Sequence, residues 1–130
     1  MQYAGTDMDI RASQAVAGLD RADRARLLAR IDGIALFAHA YSWHLNFRFG
    51  TACPVDLLHW AAGHGLAGVK VHVEDGEARS LLHDPGSRAG FAAVARDLGL
   101  AVHIETSSTA RTDLAAAIAI ARDTGATSVR

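Results

Sequence analysis

Five polar residues fall where short apolar segments of this sequence end: His39, His72, Glu74, Glu105 and Arg130. Imidazoles and carboxylates are the side chains that take and return protons near neutral pH. A guanidinium can clamp a carboxylate or phosphate through paired hydrogen bonds. His72 and Glu105 are the candidate catalytic pair, because the segments that carry them, 69–73 and 101–105, read as neighbouring strands whose ends bring both side chains near a common ligand. The competing use of the same two residues is a hydrogen-bonded pair that only fills the rim. His39, Glu74 and Arg130 are candidates for substrate contact; a loop carbonyl for His39, and solvation for the other two, are their structural alternatives.

The remaining reactive residue types suggest less. Lys70 and His103 lie deeper in the same segments, where packing or pairing is the expected role. Ser107, Ser108 and Thr109 form a polar turn suited to capping the helix that follows, with donation to a ligand as the alternative. His59 and His64 are five residues apart, not the four that would place two ligands on one helical face, and with His83 they are expected at the surface. No metal site is assigned among these residues. Cys53 is the single cysteine, so neither an internal disulfide nor a thiolate metal site can form, and a reducing, cytoplasmic compartment is expected.

The elements that must position these groups follow one recurring device. An amphipathic helix closes on a glycine, and a short apolar or β-branched strand begins within a few residues, four times over, at Gly33, Gly65, Gly99 and Gly125. Each glycine is placed where a helix leaves through a left-handed residue. The helices carry apolar stripes at Leu27, Leu28 and Ile31; at Leu57, Leu58, Ala61 and Ala62, after Pro54; at Phe91, Val94, Ala95 and Leu98; and at Leu114, Ala117, Ile118 and Ala121. Strands are expected over 34–38, 69–73 and 101–105, with a fourth opening at Thr127. The intervals between the glycines, 32, 34 and 26 residues, suit one helical crossover each, so the strands should be parallel. Residues 1–18 read as a leading arm and 74–86 as a longer loop. The absence of a linker makes 1–130 a single domain.

Alternation along the strands separates two faces. Val69, Val71 and Val73 oppose Lys70, His72 and Glu74; Val102 and Ile104 oppose His103 and Glu105; Ile34, Leu36 and Ala38 oppose Ala35, Phe37 and His39; Val129 opposes Ser128 and Arg130. A doubly wound sheet, covered on both faces, would read as nearly continuous apolar runs. One apolar face and one that turns polar toward the strand ends suit a barrel, with helices outside and a site at the C-terminal rim. The expected fold is therefore α/β, a partial (β/α)₈ TIM barrel of about four parallel strands with helices on the outer face. A complete barrel takes about 250 residues, and this chain has 130, so it should correspond to the front half.

Composition narrows the function classes. Half of the residues are hydrophobic and 21% are charged, as in ordinary globular proteins, and the formal charge is −1 with Lys and Arg scattered. No basic surface for a nucleic-acid backbone is expected. There is no glycine-rich nucleotide motif, no secretory start and no stretch long enough to span a bilayer, so neither nucleic acid nor membrane is an expected partner.

The segments Ala35-Leu-Phe-Ala-His-Ala-Tyr-Ser-Trp-His44, Pro54-Val-Asp-Leu-Leu58, Gly65-Leu-Ala-Gly-Val-Lys-Val-His72 and Leu100-Ala-Val-His-Ile-Glu-Thr-Ser107, with the run from Ala117 to Arg130, resemble the opening of the sugar phosphate isomerase/epimerase family, the xylose isomerase-like TIM barrels. The resemblance implies a small sugar or sugar phosphate as substrate. It also implies a divalent metal (Mn, Mg, Co or Zn) holding sugar oxygens, and acidic or His side chains that move a proton between adjacent carbons. In that family most metal ligands come from the second half of the barrel, so they are expected mainly outside this chain. Trp43 would stack on the sugar or plug the core edge. Two alternatives stand beside this reading. One is a non-catalytic half-barrel that self-associates into a homo-oligomer through open sheet edges. The other is a related barrel nuclease resembling AP endonucleases, which the missing basic surface disfavours.

Overall fold

A computed structural model describes residues 18, 20–73, 80–81 and 84–130. Glu74 and His83 lie outside the described residues, as do the side chains of Leu27, Leu28 and Ile31. The chain forms two compact units that divide between Ala35 and Leu36. The first holds helix α1, Arg21–Asp32, whose start is fixed by the Asp20 carboxylate accepting the Asp23 N–H at 2.8 Å.

The second unit runs, in order, β1 (Phe37–His39), a 3-10 turn (Ala40–Trp43), α2 (His44–Arg48), α3 (Pro54–Gly63), β2 (Gly68–His72), α4 (Pro85–Asp97), β3 (Ala101–Glu105), α5 (Arg111–Thr124) and β4 (Ser128–Val129). The strands form one four-stranded sheet, all parallel, in the order β1-β2-β3-β4. Among the described residues β1 and β4 each pair on one side only. β3 has the expected bounds. β1 starts three residues later than its apolar run, at Phe37, because the run lies outside the ladder until Leu36 O accepts the Ala67 N–H, so Ile34 and Leu36, expected on the apolar face with Ala38, are exposed instead.

Local chemistry explains where the helices start and stop. Pro54 opens α3 at a position where a missing N–H costs nothing, and the Cys53 N–H donates to the Asp56 carboxylate at 2.7 Å. Gly65, Gly99 and Gly125 carry φ of 67°, 66° and 68°, as their position after a helix requires; among the described residues the other left-handed glycine is Gly50, beyond α2, and not Gly33. The short α2 is not marked by any apolar stripe long enough to read. Ser107, Ser108 and Thr109 do not cap α5: its N-cap is Ala110, without a side-chain cap, and Ser108 Oγ instead accepts the Ala110 N–H at 3.1 Å.

Asp84 caps α4, its Oδ1 accepting the Gly86 N–H at 2.9 Å. The Ser87 hydroxyl above all, with the backbone N–H groups of Gly86 and Ser87, holds this carboxyl below its ordinary value of 3.8. Because the folded-state value is depressed, the stabilisation is complete above the unfolded value and is lost as pH falls through the folded one. Between neutral pH and acid below 3.8, the wild-type melting temperature should therefore drop further than that of Asp84→Asn, whose amide caps without titrating. Parallel pH profiles for the two proteins would refute a stabilising ionised cap.

The register settles the faces. Gly68, Lys70 and His72 align with Ala101, His103 and Glu105, Lys70 also with His39, and His103 with Ser128. On the other side, Ala38, Val69, Val71, Val73, Val102 and Ile104 are buried and form one core with Leu57, Leu58 and Ala61 of α3, Phe91 and Ala95 of α4, and Ala117, Ile120 and Ala121 of α5. The valines of β2 thus face the helices, as their alternation requires, and the polar row faces away. The buried stripe of α5 is turned from the expected one: Ala117, Ile120, Ala121 and Thr124 are buried, whereas Leu114 and Ile118 are 37% and 44% exposed. Both stripes have helical spacing, and the helix-rich alanines leave the choice between them to the packing partner. At Gly68 a Cβ would run into the Ala101 carbonyl and within 2.7 Å of Phe37 Cε1, so β2 meets its neighbours closely where it begins.

Candidate acid-base site

The polar face gathers its groups at the C-terminal ends of β1, β2 and β3. Glu105 is the last residue of β3 and is buried, 9% exposed, although most of that face is half-buried. Its Oε2 lies 2.7 Å from His39 Nε2 and 3.6 Å from His72 Nε2. β2 separates β1 from β3, so their backbones stand roughly 10 Å apart. His39 and Glu105 therefore meet by leaning over β2, and His72 rises from β2 beside them, its ring 5.8 Å from that of His39.

The 3-10 turn after β1 orients His39. The Tyr41 N–H donates to His39 Nδ1 at 3.1 Å. A ring nitrogen that accepts carries no proton, so the imidazole proton sits on Nε2 and is donated to Glu105. At 2.7 Å this is as short as hydrogen bonds to a charged acceptor usually are. The Tyr41 ring stands at the mouth, 63% exposed, stacked on His44 at 4.9 Å and 6.4 and 6.2 Å from the rings of His39 and His72. Sequence reasoning missed Tyr41; its only signal was its place two residues beyond a strand-ending histidine.

His39, His72 and Glu105 thus come together. Trp43 belongs to another cluster: its ring lies 6.2 Å from Phe47 and 6.0 Å from Trp60, packed against the core. The Arg130 N–H donates to Ile104 O and its carbonyl accepts the Thr106 N–H, each at 2.9 Å, which extends the β3–β4 ladder by one residue. That pairing sets Arg130 opposite Glu105 and on its face, exposed. His59 and His64 are exposed on and after α3, and the His64 ring stacks on Trp60 at 4.2 Å. His103 shares a hydrogen bond with Ser128 and meets the Phe37 ring edge-on at 4.7 Å.

The ligand atoms of His39, His72 and Glu105 lie within 4.8 Å of one another, and two imidazoles with a carboxylate are a donor set that first-row divalent metals accept. The tautomer of His39 does not fit that use. A ligating histidine keeps its proton on the far nitrogen and donates it outward, whereas the far nitrogen of His39 accepts the Tyr41 N–H. His72 and Glu105 alone fall short of the three protein ligands usual in a catalytic zinc centre. What the cluster can do as it stands is hold and move protons between a buried carboxylate and two imidazoles.

No helix among the described residues is long and apolar enough to cross a membrane. No family model matches the chain, and no solved structure matches it. The uncharacterized protein YihM of Escherichia coli (strain K12) is 45% identical to it over 106 residues, 81% of this chain and 32% of YihM. The chain therefore spans about a third of the length of that curated relative.

Proposed function

We propose that this chain carries the proton-transfer residues of a sugar isomerase or epimerase, on the inner face of a partial (β/α)₈ barrel. The observation that carries the reading is the convergence of His39, His72 and Glu105 at the ends of three adjacent parallel strands, on the face turned from the helices. Barrel enzymes keep their chemistry at that end of the strands. In this reading Glu105 takes the proton from the carbon beside the substrate carbonyl, and the electron pair moves onto the carbonyl oxygen. His72 gives that oxygen a proton. Return of the first proton to the former carbonyl carbon, while His72 takes the proton of the neighbouring hydroxyl, isomerises the sugar; in the epimerase case the original carbon is reprotonated on its opposite face and His72 takes back the oxygen proton. His39 holds the carboxylate in place through its Nε2–H. The divalent metal of similar barrels would draw its ligands from outside these residues, and none of these steps depends on it.

The test is hydrogen exchange. The folded chain, incubated in D₂O with a panel of ketoses, aldoses and their phosphates, with Mg²⁺ or Mn²⁺ supplied, should incorporate deuterium at the carbon beside the carbonyl, read by proton NMR. A chain shown to be folded that exchanges no proton in any of these sugars is not the enzyme described.

A further inference from the structure

Lys70 is the one lysine on the polar face, and no described residue matches its charge. It sits in the middle of β2, half-buried, aligned with His39 on one side and His103 on the other. Among the described residues the carboxylate of that face is Glu105, one diagonal step away, and it is already taken by His39 at 2.7 Å with His72 at 3.6 Å. His103 is likewise engaged, with Ser128. Among the described residues Lys70 has no ion pair and no hydrogen bond. Drawing an ammonium partly out of water with no partner is unfavourable. A second cation, Arg130, enters the same face opposite Glu105.

From this we infer that Lys70 is an anchoring cation for an anionic group of the ligand, a phosphate ester or a carboxylate, held over β2 and β3 with Arg130 at its outer side. A sugar bound this way would lie with its charged end on Lys70 and its neutral carbons toward Glu105. The inference rests on the reading of this face as the substrate side, but not on any particular reaction there.

The full chain should be titrated with inorganic phosphate, with gluconate and with neutral xylitol at constant ionic strength, following backbone and lysine side-chain NMR signals. Saturable binding of phosphate or gluconate, weakened about tenfold by Lys70→Met, some 1.4 kcal/mol, and largely kept by Lys70→Arg, is the expected result. Response to phosphate alone points to a phosphate ester, and response to gluconate alone to a carboxylate. Absence of saturable binding of either anion overturns the inference, and so does equal affinity in wild type and a folded Lys70→Met. The proposed reaction can fail separately: anion binding through Lys70 without deuterium exchange would remove the isomerase reading and leave the anion site standing.

Discussion

Glu105→Gln should lower the rate of deuterium incorporation into the substrate by about 10²–10⁴-fold, the usual worth of a positioned general base, with little change in fold. The amide has nearly the volume of the carboxyl and keeps an oxygen that can accept the His39 Nε2–H, now 2.7 Å from Glu105 Oε2. What it lacks is the charge and the lone pair that take a proton from carbon. Circular dichroism and the melting temperature should therefore stay near wild type while exchange collapses. His59→Ala, at an exposed position on α3, serves as the control and should leave exchange unchanged. If Glu105→Gln keeps exchange within threefold of wild type, a range too small for loss of a general base, Glu105 is not the proton acceptor.

The second large effect concerns stability and separates two isoleucines of one helix. Ile120 is fully buried in the shared core, and Ile118, two residues before it on α5, is 44% exposed. Ile120→Ala should cost about 2–5 kcal/mol, since it removes three carbons from a packed interior that closes only partly around the gap. Ile118→Ala should cost under about 1 kcal/mol, because much of that side chain already meets water. Against a net stability of roughly 5–15 kcal/mol for a typical domain, the first loss is severe. Urea unfolding of both variants checks this. Equal costs, or a larger cost at Ile118, would show that the α5 face toward the sheet has been assigned wrongly.

The sequence by itself determined what depends on near neighbours along the chain. Alternating residues such as Val69, Lys70, Val71 and His72 assign sides to a strand whatever it pairs with, because the pleat has a period of two. Crossovers of about thirty residues force parallel pairing. Pro54 and the glycines at 65, 99 and 125 set helix ends through backbone chemistry that acts within a turn.

Tertiary structure decided the rest. An alanine-rich helix such as α5 offers two stripes of equal spacing, and only contact with the sheet buries Ile120 rather than Ile118. Trp43 goes to Phe47 and Trp60 because α2 and α3 fold beside it. The His39–Glu105 pair spans 66 residues and reaches across an intervening strand, and its proton is placed by the Tyr41 N–H of a turn that carries no periodic signal. Contacts of that kind depend on strand order and on how far side chains reach, neither of which is written in local spacing.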